Sequence, residues 1–76
     1  MIEFMMPKVD HLSEEAFIVK WLKSEGDAVE KGEILLQIET GKSILEVESP
    51  YTGILKTILA KEGETVPVLT QIALFE

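Results

Sequence analysis

Hydrophobic and polar residues alternate with a period of two along much of this chain. The alternation covers residues 16–22, 33–39, 43–49 and 53–60, where β-branched, aromatic and polar residues mix over strand-sized lengths. Turn-forming residues separate these segments at the roughly 8 to 12-residue spacing of a β-sandwich or barrel. A helix beginning at Ser13 is the alternative for the first segment, but its "FIVKWL" run is too rich in β-forming residues. We therefore predict an all-β fold.

The second half of the chain repeats the first. With a shift of 37 residues, 18–39 aligns with 55–76, and both halves carry the motif Leu-x-x-Glu-Gly-acid-x-Val. Ahead of these segments, Met6-Pro7 matches Ser49-Pro50 with a shift of 43, so the first half holds six additional residues within 8–15. Two similar half-sheets that bury a face against each other predict a flattened two-sheet β-sandwich with quasi-two-fold symmetry.

The link between the halves, Thr40-Gly41-Lys42-Ser43, joins the end of one predicted strand to the start of the next. Glycine in the first position of a two-residue link suits a hairpin turn with positive φ, and we expect Gly41 to adopt it. Lys42 is then a single amine at the tip of a rigid hairpin. The same symmetry predicts that the two termini meet at the opposite end, and that 8–15 folds back near the hairpin.

Composition narrows the possible functions. The 76 residues predict one small domain, and a hydrophobic content of 46% suffices for a core. Fourteen acidic residues against seven lysines, with no arginine, give a net charge of −7, which disfavours nucleic acid and anionic membranes as partners. The acids are scattered, as on a monomeric surface. No apolar run is long enough to span a membrane, and the N-terminus lacks the pattern of a signal peptide.

No catalytic set is visible in the sequence. There is no cysteine, His11 stands without a second ligand nearby, and no serine–histidine or carboxylate pair indicates catalysis. Glu39, Glu46 and Glu48 are interpreted as solvated strand faces, with steering of a basic partner as the alternative. We predict a non-catalytic domain.

Gly41-Lys42-Ser43 also matches the end of a phosphate-binding loop, but that function is excluded. Such a loop needs a glycine where this chain has Leu36, and a helix where the chain has an alternating strand after Ser43. The negative net charge disfavours it further.

Several motifs together resemble the lipoyl domains of 2-oxo acid dehydrogenase acyltransferase components. The family's Glu-Thr-Asp-Lys-Ala stands here as Glu39-Thr40-Gly41-Lys42-Ser43, followed by Leu45-Glu46-Val47 and Ser49-Pro50. Its Gly-Asp-x-Val-x-x-Gly stands as Gly26-Asp27-x-Val29-x-x-Gly32, and Met6-Pro7-Lys8 resembles its usual start. The chain departs from this pattern at Gly41, where Asp is usual, and at Ser43, where Ala is usual.

The resemblance implies that Lys42 carries lipoate in amide linkage, attached by a lipoate ligase or lipoyl transferase. The carrier would then shuttle acyl groups and reducing equivalents between a thiamin-diphosphate-dependent 2-oxo acid decarboxylase, an acyltransferase core and a dihydrolipoamide dehydrogenase. It also implies that 1–76 is the N-terminal fragment of a larger acyltransferase chain, and that 8–15 helps the decarboxylase recognise the domain, with a plain surface loop as the alternative.

Other interpretations remain open at this point. Biotin carrier domains share the fold and present a lysine at the same tip, typically between two methionines, whereas Lys42 lies between Gly41 and Ser43. A β-sandwich interaction module without any modification is a further alternative. Cytoplasm is the default expectation for location, and the mitochondrial matrix is also compatible.

Overall fold

The computed structural model describes residues 1–7, 14–41 and 43–76. Within these ranges the regular structure consists of eight strands and no helix, and hence no helix that could cross a membrane. The strands are β1 (Ile2–Met5), β2 (Glu15–Trp21), β3 (Ala28–Val29), β4 (Ile34–Thr40), β5 (Ser43–Glu48), β6 (Gly53–Ile58), β7 (Thr65–Pro67) and β8 (Gln71–Phe75). This confirms the predicted all-β class and the four predicted strands, whose ends differ by one or two residues.

The strands form two antiparallel four-stranded sheets, in the orders β1-β8-β6-β3 and β5-β4-β2-β7. We call them the terminal sheet and the hairpin sheet. With the 43-residue shift β1 matches β5, and with the 37-residue shift β2, β3 and β4 match β6, β7 and β8. Each strand of one sheet therefore has its counterpart at the same place in the other sheet. Registers correspond as well, since the Ile2–Phe75 pair matches Leu45–Ile38 and the Ala28–Ile54 pair matches Thr65–Phe17. The predicted flattened sandwich with quasi-two-fold symmetry is therefore confirmed.

The core lies between the two sheets because alternate side chains of each strand point inward. Its largest fully buried members come from both halves: Phe75, Met6, Ile18, Leu35, Leu36, Ile38, Leu55, Ile72 and Val29. Phe75 is central, with edge-to-face contacts to Phe4 and Tyr51 at centroid distances of 5.9 and 5.6 Å. These contacts connect β8 to β1 and to the segment between β5 and β6.

The repeated Leu-x-x-Glu-Gly-acid-x-Val motif has a structural role. In each half, the motif glutamate accepts a hydrogen bond from a strand amide of the other half: Glu62 from Trp21 at 2.9 Å, and Glu25 from Ile58 at 2.8 Å. The second acid of the motif closes its own turn, as Asp27 does by accepting from the Ser24 amide at 2.8 Å. These carboxylates satisfy backbone donors and hold the two halves together.

The symmetry also locates the link between the halves. The strands β4 and β5 meet at Thr40 and Ser43, and their counterparts are the end of β8 and the start of β1. Ile2 pairs with Phe75, so the chain ends lie side by side, as predicted. The link at 41–42 is thus the symmetry counterpart of the place where the two termini meet.

Candidate functional site

The candidate site is the connection between β4 and β5. These strands are paired continuously from Ile34–Glu48 to Thr40–Ser43, with one irregularity near Leu36. Ile38 and Thr40 point into the core and are buried, which anchors the end of β4. Two residues, Gly41 and Lys42, join the paired ends. This short connection at the end of a packed sheet is the hairpin that the sequence predicted.

Lys42, the predicted attachment residue, lies outside the described residues, and so does most of the 8–15 segment, including His11. The site is therefore described from the residues on either side of the lysine. Among the residues that the structure covers, no three His, Asp or Glu side chains gather into a possible metal site.

The expectation for Gly41 is wrong. Positive φ values occur at Gly26, Gly32, Gly63 and Leu69, but not at Gly41. Gly41 itself does not adopt that conformation, so its φ does not require glycine. Among residues 1–7, 14–41 and 43–76, no atom lies within 4 Å of a Cβ built on Gly41. A side chain at position 41 would therefore meet none of the described part of the chain.

A shallow depression of about 270 Å³ lies directly beside the hairpin. It is lined by Glu15, Phe17, Glu39, Thr40, Gly41 and Thr65. Phe17 is 36% exposed, so part of its aromatic ring faces solvent beside the link. Sequence reasoning missed this surface, because Phe17, Glu39 and Thr65 become neighbours only through the strand register.

A larger groove of about 670 Å³ crosses the quasi-two-fold axis at Trp21, Ile58, Glu25 and Glu62. Its two glutamates already accept strand amides, and the Trp21 ring nitrogen donates to the Ala60 carbonyl at 2.9 Å. Because Trp21 and both glutamates of this groove are engaged within the fold, we place the functional site at the hairpin and not in this larger groove.

Fold and site together define a small two-sheet carrier-type sandwich with a lysine-bearing hairpin between its halves. A family model described as "Biotin-requiring enzyme" matches residues 2–75. The chain therefore belongs to the biotin/lipoyl family.

Comparison with individual proteins agrees with this assignment. The chain is 42% identical over 72 residues to the dihydrolipoyllysine-residue acetyltransferase component 5 of the chloroplastic pyruvate dehydrogenase complex of Arabidopsis thaliana, covering 95% of this chain and 16% of that protein. It is 42% identical over 73 residues to the dihydrolipoyllysine-residue succinyltransferase component of the 2-oxoglutarate dehydrogenase complex of Staphylococcus saprophyticus, covering 96% and 17%. The chain thus spans less than a fifth of the length of these relatives.

A solved structure shows the same fold. The lipoyl domain of the 2-oxoglutarate dehydrogenase complex from Azotobacter vinelandii superposes with a TM-score of 0.80 at 26% identity, covering 100% of this chain and 96% of that one. The resemblance inferred from the sequence motifs is confirmed at the level of family and fold.

Proposed function

We propose that this domain is a lipoyl carrier in which the Nζ atom of Lys42 forms an amide with lipoate. The observation that supports it most is the two-residue link between Thr40 and Ser43, which contains one lysine and lies where the two halves of the sandwich join. Family membership and the names of the relatives support lipoate as the group attached.

The residues around the link suit covalent attachment. The Thr40–Ser43 pair fixes the ends of the connection, and none of the described residues crowds a Cβ at Gly41. A lysine amine is almost fully protonated at neutral pH, so the enzyme must remove a proton and supply an activated acyl group. On this proposal, strand pairing up to Thr40 and Ser43 keeps the link at a defined place on the domain, where such an enzyme reaches the amine.

When bound, lipoate supplies a disulfide that takes up acyl groups and electrons, and the protein supplies its presentation. We further propose that the domain serves a 2-oxo acid decarboxylase, an acyltransferase core and a dihydrolipoamide dehydrogenase within one complex. Linking a carrier domain to such an assembly raises its local concentration to about millimolar. On this proposal, 1–76 is one part of a longer acyltransferase chain and does no chemistry alone.

Intact-mass measurement tests the attachment. The domain is incubated with a lipoate ligase, ATP and lipoate, and the expected product carries one lipoyl group. Lys42→Arg should carry none, whereas the matched controls Lys20→Arg and Lys56→Arg, on exposed strand faces, should be modified like the wild type. Modification of Lys42→Arg to the wild-type extent would contradict the proposal.

Biotin is the second candidate, because the matching family model is described by biotin-requiring enzymes. The same measurement with a biotin ligase, ATP and biotin separates the two. Our proposal expects lipoate to be attached much faster than biotin. Faster attachment of biotin to Lys42 would replace the lipoyl carrier with a biotin carrier.

A further inference from the structure

A row of exposed residues crosses the hairpin sheet beside the link. Ile44 pairs with Glu39, Glu39 with Phe17, and Phe17 with Thr65, so the row extends over all four strands. Directly paired residues in an antiparallel sheet point to the same face, which here is the outer one. Ile44 is 58% exposed, and Phe17 forms part of the depression beside Gly41. We call these four residues the hairpin row; about 15 Å separates its ends.

The quasi-two-fold symmetry provides a matched row on the terminal sheet. Met1, Glu76, Ile54 and Ala28 are the counterparts of Ile44, Glu39, Phe17 and Thr65. Ile54 pairs with Ala28 and exchanges backbone hydrogen bonds with Glu76, as the symmetry requires. We call it the terminal row. It has the same alternation of apolar and acidic residues but lies where the chain ends meet, away from Lys42 in the sequence.

The charges of the two outer faces differ, although their strands correspond. The outer face of the hairpin sheet carries four carboxylates, those of Glu15, Glu39, Glu46 and Glu48, and one lysine, Lys20. On the terminal sheet, the positions corresponding to Glu15 and Glu48 are Thr52 and Met5. The face next to the link is therefore the more acidic one.

Ion pairing increases this difference. In the terminal row, Glu76 lies 3.3 Å from the Nζ atom of Lys56. In the hairpin sheet, Glu39 is the counterpart of Glu76, and Val19 is the counterpart of Lys56. Val19 is uncharged, so it cannot form the corresponding ion pair with Glu39. Within the described part of the chain, the two ion pairs are Lys56–Glu76 and Lys23–Glu33, and neither involves a carboxylate of the hairpin-sheet face.

We infer that the hairpin row and its surrounding carboxylates form the docking surface for the enzyme that acylates the arm on Lys42. The matching surface of that enzyme presents lysine or arginine side chains around an apolar side chain. The inference rests on the proposed function. Complementary charge accelerates encounter and sets orientation, while an exposed aromatic side chain supplies contact area at small entropic cost. The strands that bear the row also position the link, so a partner docked on it has the arm within reach.

Kinetic comparison of fully lipoylated variants tests the inference. Reductive acylation is measured with a purified decarboxylase component of a pyruvate or a 2-oxoglutarate dehydrogenase complex, whichever turns over the wild-type domain faster. Phe17→Thr and Glu39→Gln alter the hairpin row, and Ile54→Thr and Glu76→Gln make the matched changes in the terminal row. We expect kcat/KM to fall about tenfold for each hairpin-row variant and to stay within about twofold for each terminal-row variant.

Salt dependence provides a second readout, which a merely structural defect would not change. The wild-type kcat/KM should decrease as ionic strength rises, and Glu39→Gln should decrease less steeply, while Glu76→Gln keeps the wild-type slope. Thermal unfolding of each variant shows whether it is folded at the assay temperature. Broadening of the Phe17 and Ile44 amide signals on addition of the decarboxylase, without broadening at Ile54, would locate the contact independently.

Several results would overturn the inference. Equal losses in both rows, or no loss in either, would show that the hairpin row does not dock this enzyme. A defect confined to the lipoylation step would assign the surface to the modifying enzyme, and concentration-dependent dimerisation lost in Phe17→Thr would assign it to a second copy of the chain. Failure of the wild type to be lipoylated, or to be acylated by either decarboxylase once lipoylated, would instead contradict the proposed function.

Discussion

Replacing Leu69 with glycine is expected to stabilise this domain. Leu69 is the one non-glycine residue of the described chain with positive φ, at 66°, and its counterpart in the first half is Gly32, at 94°. The two positions also make corresponding hydrogen bonds, from Leu69 to the Met6 carbonyl at 2.7 Å and from Gly32 to the Ser49 carbonyl at 2.8 Å. The duplicated fold therefore requires the same backbone conformation at both, and only one half provides the residue that adopts it without strain.

The magnitude follows from two opposing terms. A left-handed conformation costs a non-glycine residue about 1–2 kcal/mol. Glycine loses more backbone entropy on folding, which costs about 0.5–1 kcal/mol. Leu69 is 68% exposed, so its removal sacrifices little burial. The net gain is about 0.5–1 kcal/mol, which corresponds to a rise in Tm of about 2–8 °C for a domain of this size.

Thermal and urea unfolding measure the effect, with two matched variants. Gly32→Leu introduces the strain into the first half and, with the same two terms reversed, should destabilise the domain by about 0.5–1 kcal/mol. Leu59→Gly removes another exposed leucine where φ is not positive, and should also destabilise because glycine loses more backbone entropy on folding. A lower Tm for Leu69→Gly than for the wild type would refute the account of strain at this turn.

Three further predictions concern packing, the link and charge. Gly53→Ala should cost about 1–3 kcal/mol in urea unfolding, because its Cβ would lie 2.7 Å from the Glu76 carbonyl oxygen; an unchanged midpoint would contradict this. Gly41→Asp should change stability by less than about 0.5 kcal/mol and leave the rate of lipoylation unchanged or higher, since the backbone does not require glycine there; a steep loss of modification would show that the missing side chain matters. Lys23→Gln removes an ion pair of 2.8 Å with Glu33 that raises the pKa of Lys23 and lowers that of Glu33. Its contribution is lost as pH falls through the lowered pKa of Glu33 or rises through the raised pKa of Lys23, so wild type and variant should differ in urea midpoint near neutral pH and converge at both extremes.

The duplication made most of the fold predictable from the sequence. Matching 18–39 with 55–76 gave the correspondence of strands, and the strand registers follow the same two shifts. Period-two alternation located the four longest strands because each has one face in the core. The strands β3 and β7, of two and three residues, are too short to show a period, and their pairing depends on turns held by Gly26 and Gly63.

The site was less predictable than the fold. The motif identified Lys42 and its neighbours, but the presence of glycine in the link was a misleading guide to φ, because Gly41 has a φ that other residues also adopt. The exposure of Phe17 beside Glu39 depends on register across three strands, which local pattern does not specify. The ion pair of Lys56 with Glu76, which distinguishes the two outer faces, likewise arises only in the assembled sheet.

Mapping the modified residue tests the central claim most directly. Cleavage after glutamate releases residues 40–46, Thr-Gly-Lys-Ser-Ile-Leu-Glu, a peptide with a single lysine. After incubation with a lipoate ligase, ATP and lipoate, tandem mass spectrometry should place one lipoyl group on Lys42 and none on any other lysine-containing peptide. Lipoate found on a different lysine, or an unmodified 40–46 peptide from an otherwise lipoylated domain, would contradict the assignment of this hairpin as the attachment site.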